Sequence, residues 1–241
     1  PYYVTPLVEG GTLRDRLARG GPLPLDEALR VLHDVAAALA HAHARGVVHR
    51  DVKPENVLLG EGGAVLGDFG IARAVACVAD GATDGAASAR WPTRPGLGTP
   101  TYMAPEQRSP GAVVDHRADL YALGVMAFEL LAGSPPVRAA SVATAPDEGA
   151  TATEGARAAA LRARRPEVPP AVVALVARLL ATDPVERPAS AAEVGRRLAT
   201  LAASVGRTEA PRWRRALAAG VGAALALATW FGATARSGGA V

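Results

Sequence analysis

The chain has 241 residues, with 26 lysines and arginines against 23 aspartates and glutamates, and 49% of it is hydrophobic. That length can bury a sizeable core, and a net charge of +3 is too small to indicate a nucleic-acid protein. One cysteine, Cys77, excludes internal disulfides and cysteine-rich metal sites and fits a reducing compartment. Lys53 is the single lysine in an arginine background, so that position calls for a compact ammonium rather than a planar fork.

The chain opens on Pro1-Tyr2-Tyr3 with no initiator methionine and no signal peptide, which reads as a fragment. Tyr2 to Val8 reads as a strand, and Thr12 to Asp15 as a capping-box start to a short helix through about Ala18. From Leu25 to Arg45, apolar residues recur at helical spacing, and Gly46 is a natural stop. Short apolar runs follow at Val47-Val48, Val57 to Leu59 and Ala64 to Leu66, the last two forming a small hairpin across Gly60, Gly62 and Gly63. Ala74 to Leu97 has no periodicity and reads as a long loop. Helical pattern resumes from Ala118 to Leu131 and breaks at Gly133-Ser134-Pro135-Pro136. Ala139 to Gly155 is polar and of low complexity, Pro170 to Ala181 is helical, and Ser190 to Glu193 is a capping box opening a helix to about Leu201.

Ala216 to Ala235 carries no charge and is bracketed by Arg214-Arg215 and Arg236. A 20-residue helix is about 30 Å long, the hydrocarbon thickness of a bilayer. Arg207, Arg212, Arg214 and Arg215 precede it, which places the preceding domain on the cytoplasmic side of an inner or plasma membrane. An Ala-rich helix packed on protein is the bland alternative. Small residues such as Gly220 and Ala224 are compatible with a homodimer through this span, a pattern common by chance in Ala-rich runs.

The chemistry sits in three strings: His49-Arg50-Asp51-Val52-Lys53-Pro54-Glu55-Asn56, then Asp68-Phe69-Gly70, then Gly98-Thr99-Pro100-Thr101-Tyr102-Met103-Ala104-Pro105-Glu106. Each is weak alone. In this order, between these elements, they match the protein-kinase signature set. Over roughly Tyr2 to Ala202 the chain resembles the eukaryotic-type serine/threonine protein kinases of bacteria.

The resemblance implies an α+β, protein kinase-like fold: a mainly helical C-terminal lobe with short β-hairpins, most of the N-terminal lobe missing, and one C-terminal transmembrane helix. It divides the chain into the end of the N-lobe and hinge (1–11), the C-lobe (12–203, activation segment 68–106), a basic juxtamembrane linker (204–215), the span (216–235) and the start of an extracytoplasmic segment (236–241). The implied reaction transfers the γ-phosphate of ATP to Ser/Thr hydroxyls of protein substrates. Asp51 would accept or orient the hydroxyl proton, Lys53 would place a point charge on the γ-phosphate, and Asn56 and Asp68 would hold Mg²⁺. Lys53, with Thr99 beside the catalytic aspartate, marks Ser/Thr specificity.

The same resemblance gives His49 the packing of the catalytic loop, Phe69 and Gly70 the support that follows Asp68, and Asp119 the anchoring of that loop's amides. Glu106 and Arg187 form a buried pair locking the activation segment to the late helices. Arg50 goes with control by activation-loop phosphorylation, with Thr93 the first candidate and Thr83, Ser88 and Thr101 behind it; mere solubility of such a loop is the plain alternative. At the hinge, Thr5 is the gatekeeper, Pro6 and Val8 face adenine, and Glu9 reaches the ribose. The five histidines show no metal-ligand pattern: His41 and His43 do not share a helix face, and Cys77 receives no role.

The glycine-rich loop and the strand lysine of the family are missing, and with one lysine in the chain nothing here replaces the latter. These residues alone are therefore expected to be inactive. A different class of reading is a catalytically silent, kinase-like membrane scaffold that binds protein partners. A small-molecule phosphotransferase fits poorly, because Gly98 to Glu106 resembles a protein-substrate docking loop.

Overall fold

The structure, a computed structural model, describes residues 10–69, 101–108, 114–136 and 154–208. Six helices are described: α1 (Leu13–Gly20), α2 (Leu25–His43), α3 (Arg117–Ala132), α4 (Glu154–Arg164), α5 (Pro170–Leu179) and α6 (Ala191–Thr208). One hairpin, β1 (Val57–Gly60) and β2 (Gly63–Leu66), pairs antiparallel with Val57 opposite Leu66. The chain divides into units 1–202 and 203–241, and of the second only the end of α6 is described.

Helix α1 starts as its sequence dictates. The Thr12 hydroxyl accepts from the Asp15 amide at 3.1 Å, and the Asp15 carboxylate accepts from the Thr12 amide at 3.1 Å. These two bonds satisfy amides that a helix start leaves orphaned. The helix runs two residues past Ala18, to Gly20.

Helix α2 buries Ala28, Leu29, Leu32, Val35, Ala36 and Leu39, the stripe that the periodicity marks. Each large apolar side chain so buried contributes about 1.5–3 kcal/mol. Its opposite side also does something specific: the Asp34 carboxylate accepts from the Ala64 amide at 3.0 Å, fixing the hairpin against α2. Val47-Val48 forms no strand. Val47 is half-exposed in the connection leaving Gly46.

Helix α3 is the centre of the lobe. Every residue from Ala118 to Leu131 is buried, so it is apolar nearly all round, as a helix enclosed by others must be. It packs against α2, α4 and α5. Gly124 allows the close approach to α5: a Cβ there would lie 2.7 Å from the Cβ of Leu179. Gly133 ends the helix in the left-handed region (φ 79°), its amide donating to the Glu129 carbonyl at 2.8 Å.

Helix α4 begins at the end of the polar stretch 139–155 and lies mostly in residues 156–164, to which the sequence reading assigns no element. Its hydrophobic signal is one residue deep, since Leu161 alone is shown fully buried in the core, and the helix rests on good formers such as Ala158 to Ala160. Helix α6 continues past Leu201 to Thr208, into the stretch read as linker. Its capping box is displaced: Ser190 Oγ accepts from the Glu193 amide at 3.2 Å, but the Glu193 carboxylate reaches back to the Ala189 amide.

Among the described residues, no helix is long and apolar enough to cross a membrane. The apolar run 216–235, the hinge strand, the loop at 74–97 and most of 139–155 lie outside the described residues.

Candidate active site

The sequence motif from His49 to Asn56 folds into a loop between α2 and β1, closed by a turn of 3-10 helix at Pro54–Asn56. Pro54 starts that turn at no hydrogen-bonding cost, since the first amide of a helix has no partner within it. Within the loop, Asp51 Oδ2 accepts from Lys53 Nζ at 2.8 Å and from Asn56 Nδ2 at 3.1 Å. Asn56 Nδ2 also donates to the Asp51 carbonyl at 2.8 Å. Asp51 is therefore held from two sides through one oxygen. Its side chain is 37% exposed and that of Lys53 17%, so the site faces solvent without being dissolved in it.

The loop hangs from Asp119, on the first turn of α3 and fully buried. Its Oδ2 accepts from the His49 amide at 2.8 Å and its Oδ1 from the Arg50 amide at 2.7 Å. A third donor, His43 Nε2 at the end of α2, lies 2.8 Å from Oδ2. These three hydrogen bonds satisfy a carboxylate that has no access to water. Arg50 sits at φ 66°, a conformation costing a non-glycine residue about 1–3 kcal/mol. The Asp119 bonds to consecutive amides hold it there.

His49 is buried with its tautomer set by its neighbours. Nδ1 accepts from the Asp51 amide at 3.2 Å, while Nε2 donates to the Gly67 carbonyl at 2.8 Å. Its ring packs on Phe69, with centroids 4.6 Å apart. The Gly67 amide in turn donates to the Asn56 carbonyl at 2.8 Å, so the backbone carrying Asp68 runs directly beside Asn56. Asp68 is exposed and takes φ 54°, a region that aspartate tolerates better than most residues.

These positions fit Mg²⁺. Because Asn56 Nδ2 is spent on Asp51, the side-chain Oδ1 is the oxygen it can offer a metal, and Asp68 offers a second hard oxygen. No group of three or more acidic, histidine or cysteine side chains that could hold a metal occurs among the described residues. Mg²⁺ does not require one, as it retains waters and phosphate oxygens beside one or two protein ligands.

Glu106 and Arg187 form the second predicted constellation. Arg187 Nη1 and Nη2 donate to the two Glu106 oxygens at 2.6 and 2.8 Å, a bidentate fork. Its remaining donors reach the carbonyls of Ala181, Arg117 and Thr182, and Tyr121 lies under the guanidinium at 5.0 Å. Arg187 is 1% exposed and every one of its nitrogens is engaged.

Two features were not read from the sequence. One is His43 on Asp119, a contact between residues far apart in the chain, visible only after α2 and α3 pack. The other joins Arg14, Glu55, Tyr102 and Glu129. Arg14 Nε donates to Glu55 at 2.8 Å, Nη1 to Glu129 at 2.8 Å and Nη2 to the Tyr102 hydroxyl at 2.6 Å, while Tyr102 donates to Glu129. Burial opposes the Arg14 charge, but the bonds to Glu129 and Glu55 outweigh it and raise its pKa further. Burial first, then the hydrogen bond to Glu129, push the Tyr102 phenol above its ordinary value.

Thr5, Pro6, Val8, Glu9, Gly70, Thr93 and Thr99 lie outside the described residues.

Comparison with known proteins identifies the family. Residues 1–197 match the protein kinase domain family. The serine/threonine-protein kinase PknL of Mycobacterium tuberculosis is 38% identical over 217 residues, covering 88% of this chain and 51% of that protein. PknB of Mycolicibacterium smegmatis is 36% identical over 197 residues, covering 80% of this chain and 29% of PknB. The chain thus spans about half, or less, of the length of these relatives. The crystal structure of the M. tuberculosis PknI kinase domain superposes with a TM-score of 0.55 at 32% identity, over 82% of this chain and 64% of that one. The fold is protein kinase-like, and the chain belongs to the bacterial eukaryotic-type serine/threonine protein kinase family.

Proposed function

We propose that this chain supplies the catalytic loop and the protein-docking side of a serine/threonine protein kinase that transfers the γ-phosphoryl group of ATP to protein hydroxyls. The observation that carries the reading is Asp51 held through one oxygen by Lys53 and Asn56, on a loop suspended from Asp119. Phosphoryl transfer is mostly positioning and charge neutralisation, and this loop provides both. ATP supplies the group transferred, and Mg²⁺ on Asn56 and Asp68 would neutralise its charge. Asp51 orients the attacking hydroxyl and takes its proton as the new O–P bond forms and the bond between the γ-phosphorus and the β-phosphate oxygen breaks, releasing ADP. Lys53 has donors beyond the one spent on Asp51, available to phosphate oxygens. A silent scaffold has no chemical use for this set.

Adenine and ribose contacts belong to Thr5, Pro6, Val8 and Glu9 in this reading, and Thr93 to regulation by phosphate. Residues 216–235 anchor the protein in the membrane with this lobe on the cytoplasmic side, and allow a homodimer there. Carbonate extraction of cell membranes, with and without 216–235, tests the anchor, and loss of membrane association only in the truncated form is expected. The chain of 241 residues is inactive alone for want of a second phosphate-binding lysine, and ATP turnover by it that Asp51→Ala abolishes would overturn that point.

The defining test incubates the full-length natural protein with γ-labelled ATP and Mg²⁺, followed by phosphoamino-acid analysis. Label in phosphoserine and phosphothreonine is expected. Label confined to phosphotyrosine, or none, contradicts the reading.

A further inference from the structure

Helices α5 and α6 each bury one apolar face in the lobe, Val172, Val173 and Val176 on α5, Ala191, Val194 and Leu198 on α6. Each also turns a second stripe outward. On α5 it is Ala171, Ala174, Leu175 and Arg178; on α6 it is Glu193, Arg196, Arg197 and Leu201. Both sets recur at the spacing that keeps side chains on one helix face. The two stripes line an open groove of about 840 Å³ that shares no residue with the active site.

We propose that this groove docks an acidic amphipathic helix of a partner protein, its apolar edge on the floor and its Asp and Glu side chains on the arginines of the rim. The inference goes beyond the kinase reading and does not depend on it, because it concerns binding alone. The floor is apolar and low. Ala171 and Ala174 are exposed and end at Cβ, so a third helix can come close, and buried Leu175 and half-buried Leu201 lie beneath it. The α5 wall from 171 to 178 is about 10 Å long, two turns of helix, enough for the spaced anchors by which a helix seats in a groove.

Charge selects the occupant, since three guanidinium groups stand against one carboxylate. Arg197 is paired with Glu193 at 2.6 Å. Among the described residues, Arg178 engages only Nε, on the Glu186 carbonyl at 3.1 Å, and Arg196 engages no guanidinium nitrogen, its carbonyl alone accepting from Thr200. Guanidinium groups are weakly hydrated and pair readily with carboxylates at interfaces. A second copy docking through the same face would bring its own arginines and is opposed by like charge. A flat bilayer surface would meet the rim and leave the floor uncovered.

The test titrates the full-length natural protein into a fluorescent helical peptide of about 18 residues, with leucine on one face and glutamate flanking it, and follows anisotropy. The same peptide with lysine for glutamate is the control. The acidic peptide should bind saturably and the lysine peptide should not. Arg196→Glu should weaken binding at least about tenfold. Ala174→Gln, which fills the floor from an exposed position, should weaken it about as much. Both variants should keep the wild-type melting curve and basal kinase activity. No saturable binding of the acidic peptide, equal binding of the lysine peptide, or binding unchanged in either variant overturns the proposal. A wild-type dimer that Arg196→Glu dissociates in sedimentation would give the groove to a second copy, and phosphatidylglycerol vesicles released by that variant would give it to lipid. Either result also overturns the proposal.

Discussion

Tyr102 illustrates how one hydroxyl couples pH to stability. Its phenol is buried and hydrogen-bonded to Glu129, and its pKa is raised in the folded protein. A raised folded pKa contributes stability that is whole below the unfolded value of about 10 and is lost as pH climbs toward the folded one. Melting temperature should therefore fall as pH rises above about 10, and Tyr102→Phe should flatten that fall while costing about 1 kcal/mol at neutral pH. Parallel alkaline slopes for the two proteins would refute the assignment.

Arg187 makes the opposite kind of contribution. A buried ion pair adds little net stability when whole, yet breaking it leaves Glu106 charged and nearly enclosed. Arg187→Ala should lower stability by about 3–5 kcal/mol and reduce folded yield, measured by denaturant melts. A wild-type midpoint would show that the fork is ornamental. Lysine is no substitute, because one ammonium cannot reach Glu106 bidentately and three carbonyls as well.

At the scale of elements, α3 decides the lobe. It carries Asp119 at one end for the catalytic loop and Glu129 near the other for the Arg14 cluster, and Gly124 between them sets its distance from α5. Gly124→Ala should gain about 1 kcal/mol of helix propensity. The added Cβ, 2.7 Å from the Cβ of Leu179, forces the two helices apart at a cost of about 1–3 kcal/mol. The packing term wins, so thermal melts should show net destabilisation; a stabilised variant would mean that α3 and α5 are not in close contact.

What the sequence revealed at this scale followed a physical rule. Elements with a wide apolar stripe or a local cap were legible: α1 from Thr12 and Asp15, α2 from its buried stripe, the hairpin from its glycines. Helix α4 was not, because one buried leucine gives no period to detect. The motif placed Asp51, Lys53 and Asn56 together on one short loop, but the bonds that Lys53 and Asn56 make to Asp51 came only from the structure. His43 on Asp119 and Arg14 on Glu129 were not legible at all, since nothing local signals a partner more than seventy residues away.

Across the whole molecule, the same suspension recurs in several places. Buried acidic or basic side chains hold loops in place: Asp119 the loop from His49 to Asn56, Arg187 the segment ending at Glu106, Glu129 the cluster at Tyr102. The lone lysine found by composition lies at the meeting point, 2.8 Å from Asp51. This arrangement places rigidity in the helical core and reactivity at the loops hung from it.

The central claim is that Asp51 is the group that orients and deprotonates the attacking hydroxyl. It is tested most directly by Asp51→Asn in the full-length natural protein, measuring kcat for transfer from ATP to a serine substrate alongside the melting temperature. The account predicts a fall in kcat of about 10²–10⁴ with the melting temperature little changed, because an asparagine can still accept from Lys53 and Asn56. A variant that retains wild-type kcat would contradict it.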